Sequence, residues 1–326
     1  MNWKDKVILL TGGTGSFGQK FTEVMLSKYR PKVIRIFSRD ELKQWEMERR
    51  INNDKRLRFF IGDVRDKDRL ERAMDGADIV VHAAALKQVP LCEYNPFEAI
   101  KTNILGAQNV IEAAIDHNIE KVIAISSDKA VNPVNLYGAT KMCMEKIFIA
   151  ANAYVGKKRQ TKISCARYGN VMGSRGSVIP LLKKQKSTGT ITITDKRMTR
   201  FWITLEQGVE FVVRCIEMMR GAEIFVPKVP SMKVIDLARS IAPKCKIKYI
   251  GIRPGEKIHE CLITEDETGH AREYKNFFVI TPEYLRRSSR VYRKGSRLLE
   301  SFRYASDSNK HWLTEKELQK TLRKLK

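Results

Sequence analysis

The feature that most constrains the fold is a glycine-rich turn near the start of the chain. Residues 7–10 form an apolar run, residues 11–18 read TGGTGSFG, and a helical pattern follows directly. Glycine allows a tight turn and lets backbone N–H groups approach a bound anion, while the N-terminus of the following helix carries partial positive charge. A strand, this turn and a helix in that order predict a nucleotide-binding α/β fold in which the turn contacts a pyrophosphate.

The first half of the chain alternates between two hydrophobic periods. Short β-branched runs lie at residues 7–10, 33–37, 57–61, 79–83, 122–126 and 163–167. Helical patterns cover residues 17–27, 42–52, 67–74, 96–117 and 137–155. This alternation is typical of βαβ units, so the sequence predicts an α/β fold with a doubly wound parallel sheet of the Rossmann type, whose binding site lies at the carboxyl ends of its strands.

The pattern changes in the second half. After about residue 169, glycine, proline, serine and basic residues interrupt the alternation. We therefore predict a dinucleotide-binding domain over residues 1–170, and a smaller substrate-binding lobe with a basic C-terminal tail over residues 171–326. Residues 205–227 again read as a helix followed by a strand, and we expect them to return to the first sheet.

Composition and charge narrow the class of protein. The chain has 326 residues, 43% of them hydrophobic, which excludes a disordered protein. Its formal charge of +24 makes nucleic acid, an anionic membrane surface and phosphorylated small molecules candidate partners. Phosphate contacts explain part of that charge, and we interpret the rest as general surface character, with no nucleic-acid or membrane partner. The scattered cysteines have no metal-ligand spacing, and neither a signal peptide nor a long apolar run is present, so we expect a cytoplasmic protein without a metal site.

The end of the second predicted strand bears on the type of dinucleotide. In this fold the adenosine ribose lies there, next to Ser38, Arg39 and Asp40. Ser38 and Arg39, with Lys43 a turn later, suit a 2′-phosphate and favour NADP over NAD. Asp40 leaves NAD open, because its carboxylate also suits a free 2′-hydroxyl. Asp63, after the third strand, either meets the adenine edge or caps the next helix.

A cluster of reactive side chains follows the fifth predicted strand. Residues 126–129 read Ser-Ser-Asp-Lys, and Tyr137 and Lys141 lie at positions i and i+4, on one face of a predicted helix. A free tyrosine has a pKa of about 10, so it needs nearby positive charge to act as a base near neutrality. Asp128 has a second interpretation as a helix cap.

Taken together, these segments resemble a known family. The stretches TGGTGSFG, SSDKA, NLYGATK, RYGNVMGSRGSVIP and GIRPGEK are similar to those of the extended short-chain dehydrogenase/reductases, and in detail to the inverting UDP-N-acetylglucosamine 4,6-dehydratases of pseudaminic acid biosynthesis. The resemblance covers roughly residues 7–257. In this superfamily 4-epimerases usually carry a Ser/Thr pair before the tyrosine, and retaining dehydratases carry Thr-Asp-Glu. Lys129 replaces that glutamate, and Ser127 stands where the nearest relatives have threonine.

The resemblance implies a dehydration without net redox change. Tyr137, held by Lys141, would take the proton of the sugar 4-hydroxyl while hydride passes to NADP. Lys129 would remove the C5 proton, since a lysine beside a cationic cofactor in a desolvated pocket has a lowered pKa. Asp128 would assist loss of the C6 hydroxyl, hydride would return to C6, and reprotonation from the opposite face would invert C5. The division of these proton transfers among Asp128, Lys129 and Tyr137 stays open.

The resemblance also implies two sets of contacts. The cofactor set comprises Gly12, Thr14, Gly15, Ser16, Phe17, Gly18, Ser38, Arg39, Asp40, Lys43, Asp63, Val64, Ala83, Ser126, Tyr137 and Lys141. The set for the substrate, UDP-N-acetylglucosamine, comprises Lys87, Ser127, Asn170, Arg175, Gly176, Ser177, Val178, Ile179, Pro180, Thr194, Met198, Arg200, Arg253 and Glu256. Members of the superfamily typically form dimers or larger homo-oligomers through helices such as those predicted at 96–117 and 137–155.

Two other functions remain open at this point. One is a 4-epimerase or retaining dehydratase that acts on another UDP-hexose. The other is a non-catalytic protein that senses a dinucleotide, or binds nucleic acid, on the same fold. Such a binding protein would have little reason to combine Asp128 and Lys129 with Tyr137 and Lys141.

Overall fold

The structure is a computed structural model that describes residues 1–156, 159–174, 176–282, 292 and 294–324. In the first half the strands are β1 (Val7–Thr11), β2 (Val33–Ser38), β3 (Leu57–Ile61), β4 (Ile79–His82), β5 (Lys121–Ser127) and β6 (Lys162–Tyr168). The helices are α1 (Ser16–Val24), α2 (Glu41–Arg50), α3 (Lys67–Met74), α4 (Val89–Tyr94), α5 (Pro96–Ile100), α6 (Gly106–Asp116) and α7 (Leu136–Ala150).

The second half contains shorter strands. They are β7 (Asn170–Met172), β8 (Thr190–Ile193), β9 (Thr199–Thr204), β10 (Ile224–Pro227), β11 (Ser231–Lys233), β12 (Lys246–Tyr249), β13 (Cys261–Ile263), β14 (Ala271–Glu273), β15 (Phe277–Ile280), β16 (Ser296–Arg297) and β17 (Tyr304–Ala305). The helices are α8 (Val178–Lys186), α9 (Leu205–Met218), α10 (Val234–Ile241) and α11 (Glu315–Lys324).

One large sheet organises the molecule, and the predicted doubly wound parallel fold is confirmed. Its parallel part has the order β3-β2-β1-β4-β5-β6-β10. The order reverses between β1 and β4, which places a ligand crevice at the carboxyl ends of these strands. Beyond β10, the antiparallel strands β15, β14 and β16 extend the same sheet. This extension was not predicted, because these strands are only two to four residues long and carry little periodic signal.

Helices cover both faces of the sheet, as the apolar β-branched strands require. One face packs against α1, α2 and α9, which contribute the buried side chains of Phe21, Met47 and Val212. The opposite face packs against α3, α6 and α7 and includes the buried Leu70 and Phe148. The central strands of the sheet are therefore buried on both faces.

The helix predicted at 96–117 differs from the observed structure. Helix α5 passes into a π-helical turn at Lys101–Leu105 before α6 begins. The side chain of Asn103 in this turn accepts a hydrogen bond from the Leu86 amide and donates one to the Leu86 carbonyl, both at 2.8 Å. It also donates to Thr140 Oγ1 in α7 at 3.0 Å. The wide turn thus ties the loop after β4 to the helix that carries Tyr137, as π-helical turns at functional sites often do.

Most of the remaining elements form a second, smaller core. Strands β11, β9 and β7 make a three-stranded sheet, β8 pairs with β12, and β13 pairs with β17. Helices α8, α10 and α11 pack with β7, β8, β9, β11 and β12 around the buried Ile179, Leu237 and Leu318, whereas Leu262 of β13 and Tyr304 of β17 join the core of the main sheet. Helix α9 and strand β10 belong to the main sheet and its helical layer. The division of the chain near residue 170 stays a prediction. Within the described residues, none of the helices has the length and apolar character needed to span a membrane.

Candidate active site

A cleft of about 710 Å³ lies at the carboxyl ends of the parallel strands. It is lined by the glycine-rich turn after β1 and by the residues that follow β2, β3, β4, β5 and β6. All the residues of the predicted cofactor set line this cleft, as do Asp128 and Lys129. The structure therefore brings the predicted cofactor and catalytic residues together in one place.

The glycines of the first turn make a close backbone cradle. Gly12 has a φ of +66°, and a Cβ atom there would lie 2.8 Å from the Ala84 nitrogen. A Cβ atom on Gly18 would lie 2.4 Å from the Gly13 carbonyl oxygen. Glycine is thus required where the turn meets the β4 loop and where α1 meets the turn. Helix α1 starts at Ser16 with its N-terminus in the cleft, which is the arrangement that binds a diphosphate.

The charged side chains that follow β2 pair with other groups of the protein. Asp40 caps α2 by accepting a hydrogen bond from the Lys43 amide at 3.0 Å, and it also pairs with the Lys43 ammonium. Arg39 Nη1 lies 3.5 Å from Asp63 Oδ2, and the Arg39 side chain is 54% exposed. Asp63 accepts hydrogen bonds from Arg65, whereas Asp66 is the residue that caps α3. Arg39 therefore faces the cleft with its guanidinium accessible to a ligand.

The catalytic cluster is built where β5 ends. Ser127 is the last residue of that strand, and a 3-10 turn, Asp128–Ala130, follows it. Ser127 Oγ donates to Asp128 Oδ1 at 2.8 Å, and Lys129 Nζ donates to the same oxygen at 3.1 Å. Lys129 Nζ also donates to Glu260 Oε1 at 3.1 Å. The lysine is thus held between two buried carboxylates, one from the sheet and one from the C-terminal half.

Helix α7 presents Tyr137 and Lys141 to this cluster. Asn135 caps the helix by accepting a hydrogen bond from the Gly138 amide at 2.7 Å. The Tyr137 hydroxyl is hydrogen-bonded to the Ser127 side chain. Lys141 Nζ donates to the Ile125 carbonyl at 2.6 Å, two residues before Ser127 in β5. Tyr137 and Ser127 together can therefore bind and deprotonate a substrate hydroxyl.

Burial dominates the electrostatics of these two helix residues. It raises the pKa of Tyr137 to about 12, although the Lys129 charge and the Ser127 hydrogen bond oppose that rise. It lowers the pKa of Lys141 to about 8. The cation that acts most on the Tyr137 phenol in this structure is therefore Lys129.

The expected lowering of the Lys129 pKa is wrong for this structure. Burial alone lowers it, but the attraction of Asp128 and Glu260 outweighs burial and raises the pKa of Lys129 above its usual value. For Asp128, burial and the Glu260 charge raise the pKa of the carboxyl in spite of the Lys129 ammonium. Glu260 is affected in the opposite direction, because Lys129, Arg200 and Lys257 lower the pKa of its carboxyl more than burial raises it.

Several buried polar atoms of the cleft point to a polar ligand. The atoms without a hydrogen-bond partner in the described structure, on residues that line the cleft, are Thr102 Oγ1, Ser126 Oγ, Asp128 Oδ2, Asn170 Oδ1, Ser177 Oγ and Trp202 Nε1. A buried polar group without a partner costs about 1–3 kcal/mol. A dinucleotide and a sugar offer hydroxyl, amide and phosphate groups to satisfy such atoms, so the residues present fit both ligands.

The predicted substrate set divides into two groups. Lys87, Ser127, Asn170, Gly176 and Ser177 line the cleft. The others in the described residues are not among its lining: Val178, Ile179, Pro180, Thr194, Met198, Arg200, Arg253 and Glu256. Arg175 lies outside the described residues.

Contacts elsewhere explain part of that second group. Ile179 and Met198 are buried apolar side chains, and Thr194 Oγ1 contacts the Met198 sulfur at 2.9 Å. Arg200 donates to the carbonyls of Lys257 and Ile258, both at 2.9 Å. Arg253 pairs with Glu256.

Sequence reasoning missed Glu260, which contacts Lys129 directly. Glu260 and Lys129 are 131 positions apart, and no local pattern links them. Trp202, which belongs to neither predicted set, also lines the cleft, and its buried indole N–H has no hydrogen-bond partner in the described structure. The signal that was available for Glu260 is the charged stretch GEKIHE, in which Lys257 and Glu260 are three positions apart.

Gly138 sets the distance between α7 and the catalytic turn. A Cβ atom there would lie 2.3 Å from the Lys129 carbonyl oxygen, so we expect Gly138→Ala to push α7 away from Lys129. The variant should lose about 1–3 kcal/mol of unfolding free energy and most of its turnover. Denaturant unfolding and steady-state kinetics measure both effects. Gly208→Ala in α9 is the matched control, because its new Cβ atom would meet only Tyr168 Cζ, at 3.9 Å. Equal stability of the two variants would contradict the prediction.

Comparison with known proteins agrees with this geometry. The sequence profile of a family described as "Polysaccharide biosynthesis protein" matches residues 8–282. The chain is 53% identical to the UDP-N-acetylglucosamine 4,6-dehydratase (inverting) of Campylobacter jejuni subsp. jejuni serotype O:23/36 (strain 81-176). The alignment covers 322 residues, which is 96% of each chain. It is 46% identical to the UDP-glucose 4-epimerase of Rickettsia bellii (strain RML369-C), over 85% of this chain and 83% of the other. The solved structure of Pen from Bacillus thuringiensis superposes with a TM-score of 0.90 at 38% identity, over 99% of this chain and 100% of that one.

Proposed function

The chain belongs to the polysaccharide biosynthesis protein family, and we propose that within this family it is an inverting UDP-N-acetylglucosamine 4,6-dehydratase. The observation that carries the proposal is the Asp128–Lys129 pair, which lies in the cleft beside Tyr137. An acid and a base that are adjacent to a tyrosine suit oxidation at C4 followed by elimination across C5 and C6. An epimerase needs only the tyrosine and its hydroxyl partner.

Tyr137 and Ser127 act on the substrate 4-hydroxyl. The Tyr137 phenolate accepts the hydroxyl proton, and the Ser127 hydroxyl keeps the phenol oriented through their hydrogen bond. Lys129 lowers the cost of the phenolate, because its charge is the main one that opposes the burial of Tyr137. A Tyr137 pKa of about 12 means that a second positive charge is needed for full activity near neutrality.

Asp128 and Lys129 perform the elimination. The hydrogen bond of 3.1 Å between them allows a proton to pass from the ammonium to the carboxylate, which leaves an amine and a carboxylic acid. The amine then removes the C5 proton, and the acid protonates the departing C6 hydroxyl. Burial raises the pKa of Asp128, which favours its acid form, whereas the raised pKa of Lys129 opposes the transfer. The proton that Asp128 gives to the leaving group comes from Lys129, so the pair needs no external proton.

We propose NADP as the cofactor. The glycine cradle and the α1 N-terminus would hold its diphosphate, and Ser126 and Lys141 would meet its nicotinamide half. When bound, it would accept hydride from C4 and return it to C6. The 2′-phosphate would lie against Arg39 and Lys43, since Asp40 is engaged as the cap of α2 and as the partner of Lys43.

The Arg39→Asp variant tests the NADP assignment. A charge-assisted hydrogen bond contributes about 1.5–3 kcal/mol, so the ratio of NADP to NAD affinity should fall about 10- to 100-fold. Titration calorimetry with each dinucleotide measures the ratio. Lys55→Asp makes the same charge change on an exposed residue outside the cleft and should leave the ratio unchanged. An unaltered ratio in Arg39→Asp would place the 2′-phosphate elsewhere.

We propose UDP-N-acetylglucosamine as the substrate, with its sugar and diphosphate bound by the part of the substrate set that lines the cleft. Lys87 is an exposed residue of the cleft lining, and partial desolvation of its ammonium lowers its pKa. A diphosphate next to this lysine would raise that pKa again. We also propose a homo-oligomer, supported by exposed apolar side chains on α4 and α5, where Tyr94 is 85% and Phe97 is 74% exposed.

Mass spectrometry of the product distinguishes the two enzymatic candidates. The second candidate is 4-epimerisation of a UDP-hexose. The observation in its support is the 46% sequence identity to the UDP-glucose 4-epimerase of Rickettsia bellii. Incubation with UDP-N-acetylglucosamine should give a product lighter by one water if the chain is a dehydratase. A new compound of unchanged mass would support the epimerase instead.

A further inference from the structure

A buried group of charges joins the C-terminal half of the chain to the catalytic turn. Glu260 lies immediately before β13 and is 2% exposed. Its Oε1 atom accepts a hydrogen bond from Lys129 Nζ at 3.1 Å, the same distance as from Lys129 Nζ to Asp128 Oδ1. The mechanism given above uses Asp128 and Lys129 but assigns no role to Glu260.

The backbone of Glu260 is fixed on both sides. Its N–H donates to Ser306 Oγ at 2.9 Å, and its carbonyl accepts from the Ser306 N–H at 2.8 Å. Two hydrogen bonds from Arg200 hold the preceding carbonyls of Lys257 and Ile258. Lys257 Nζ donates to the Val131 carbonyl at 2.6 Å, next to the catalytic turn. Because the backbone is held this way, the carboxylate is directed at Lys129 before any ligand binds.

Groups from several elements face this pair. Besides Asp128 and Glu260, Lys129 is faced by Arg200 of β9 and by Tyr137 of α7. Glu260 is faced by Lys129, by Arg200 Nε at 3.7 Å from Oε1 and by Lys257 Nζ at 3.5 Å from Oε2. Among the described residues, Glu260 Oε2 accepts no hydrogen bond. The main contact of the Glu260 carboxylate is therefore the hydrogen bond that Oε1 accepts from Lys129.

We propose that Glu260 is a positioning residue for the dehydration: it aims the Lys129 side chain at C5 and stabilises the ammonium that forms when the lysine takes the C5 proton. This inference rests on the proposed function. In the step, the C5–H bond breaks, its electrons form the C5–C6 double bond, and the C6–O bond breaks. Lys129 gains the proton, and Asp128 gives its proton to the leaving hydroxyl as water. Glu260 exchanges no proton.

The charge of Glu260 also sets the pH dependence. It contributes to the raised pKa of Lys129 and to the raised pKa of Asp128. Activity needs Lys129 as an amine and Asp128 as an acid, so each group sets one limb of the pH profile. Removing the charge lowers both pKa values, because Lys129 loses an attraction and Asp128 loses a repulsion. Both limbs should therefore move in the same direction, to lower pH.

The test compares Glu260→Gln with the wild-type enzyme on UDP-N-acetylglucosamine. We expect kcat to fall about 10- to 100-fold through misplacement of the lysine, with KM little changed. Both limbs of the kcat profile should shift by about one pH unit to lower pH, the effect of a lost nearby charge. Glu260→Asp keeps the charge on a shorter side chain, so it should keep the wild-type limbs and recover part of kcat.

The control is Glu267→Gln, which removes another carboxylate of the C-terminal half. Glu267 accepts hydrogen bonds from the buried Arg167 at 2.9 and 3.0 Å, away from the cleft. The Glu267→Gln variant should be less stable than the wild-type enzyme but should keep the wild-type pH profile. A Glu260→Gln profile that superposes on the wild type would overturn the inference, as would the same shift in Glu267→Gln. If Glu260→Gln does not fold, unchanged kcat in Glu260→Asp would overturn it. Absence of dehydration by the wild-type enzyme would instead refute the proposed function.

Discussion

Replacing Lys129 by alanine is expected to lower kcat for dehydration about 10²- to 10⁴-fold, the usual contribution of a positioned acid or base. Lys129 Nζ lies within 3.1 Å of both Asp128 Oδ1 and Glu260 Oε1, in a cleft that also holds Tyr137. Without the amine, no other described lysine contacts Asp128, so C5 deprotonation should stop. Oxidation at C4 should be slower, because Tyr137 loses the charge of Lys129, but it should still occur, and single-turnover absorbance should show the reduced nicotinamide accumulating.

Stability must be measured alongside activity in this variant. Lys129→Ala leaves Asp128 and Glu260 buried without their shared cation, and breaking a buried ion pair costs about 3–5 kcal/mol. Lys129→Arg keeps the charge but cannot act as a base, so it should fold and still be inactive. Lys121→Ala, at the opposite end of β5 where Lys121 Nζ contacts the Ile216 carbonyl, is the matched control and should be active. Near wild-type turnover in a folded Lys129→Arg would refute the role of the lysine.

Replacing Tyr137 by phenylalanine is the second change with a large expected effect. It removes the buried hydroxyl that is hydrogen-bonded to Ser127, and with it the base for the substrate 4-hydroxyl. We expect kcat to fall about 10²- to 10⁴-fold. In contrast to Lys129→Ala, single-turnover absorbance should show no reduced nicotinamide, because the reaction stops before C4 is oxidised.

The matched control for that change is Tyr304→Phe. The Tyr304 hydroxyl donates to the Val229 carbonyl at 3.0 Å and accepts from the Val229 amide at 2.9 Å, outside the cleft. Its loss should cost about 1 kcal/mol of stability and leave turnover intact. If Tyr137→Phe still formed reduced nicotinamide at the wild-type rate, another group would have to be the base for C4 oxidation.

Much of the fold was predictable because it depends on local periodicity. The predicted strand at 57–61 and the predicted helix at 67–74 coincide with β3 and α3. The glycine-rich turn could be assigned because a Cβ atom on Gly12 or Gly18 would meet backbone. The family resemblance drawn from the motifs is confirmed by the family profile and by the Campylobacter jejuni relative. The antiparallel strands β14 to β16 escaped prediction because their pairing is set by tertiary contacts.

The electrostatics of the site could not be predicted, since they depend on residues distant in sequence. A lysine in a desolvated pocket is expected to have a lowered pKa. That reasoning holds for Lys141 of α7, because burial lowers its pKa to about 8. It fails for Lys129, because Glu260 arrives from the other end of the chain. Likewise, the motif around Arg200 suggested a substrate contact, whereas its guanidinium binds the backbone carbonyls of Lys257 and Ile258.

NMR of the product formed from UDP-N-acetylglucosamine in D₂O tests the proposed inverting dehydration most directly. We expect UDP-2-acetamido-2,6-dideoxy-β-L-arabino-hex-4-ulose, with a C6 methyl group and with deuterium at C5. The deuterium reports removal of the C5 proton and its replacement from solvent, and the L-arabino configuration reports replacement from the opposite face. A 4-keto product that retains the configuration at C5, or a 4-epimer that retains its C6 hydroxyl, would contradict the account.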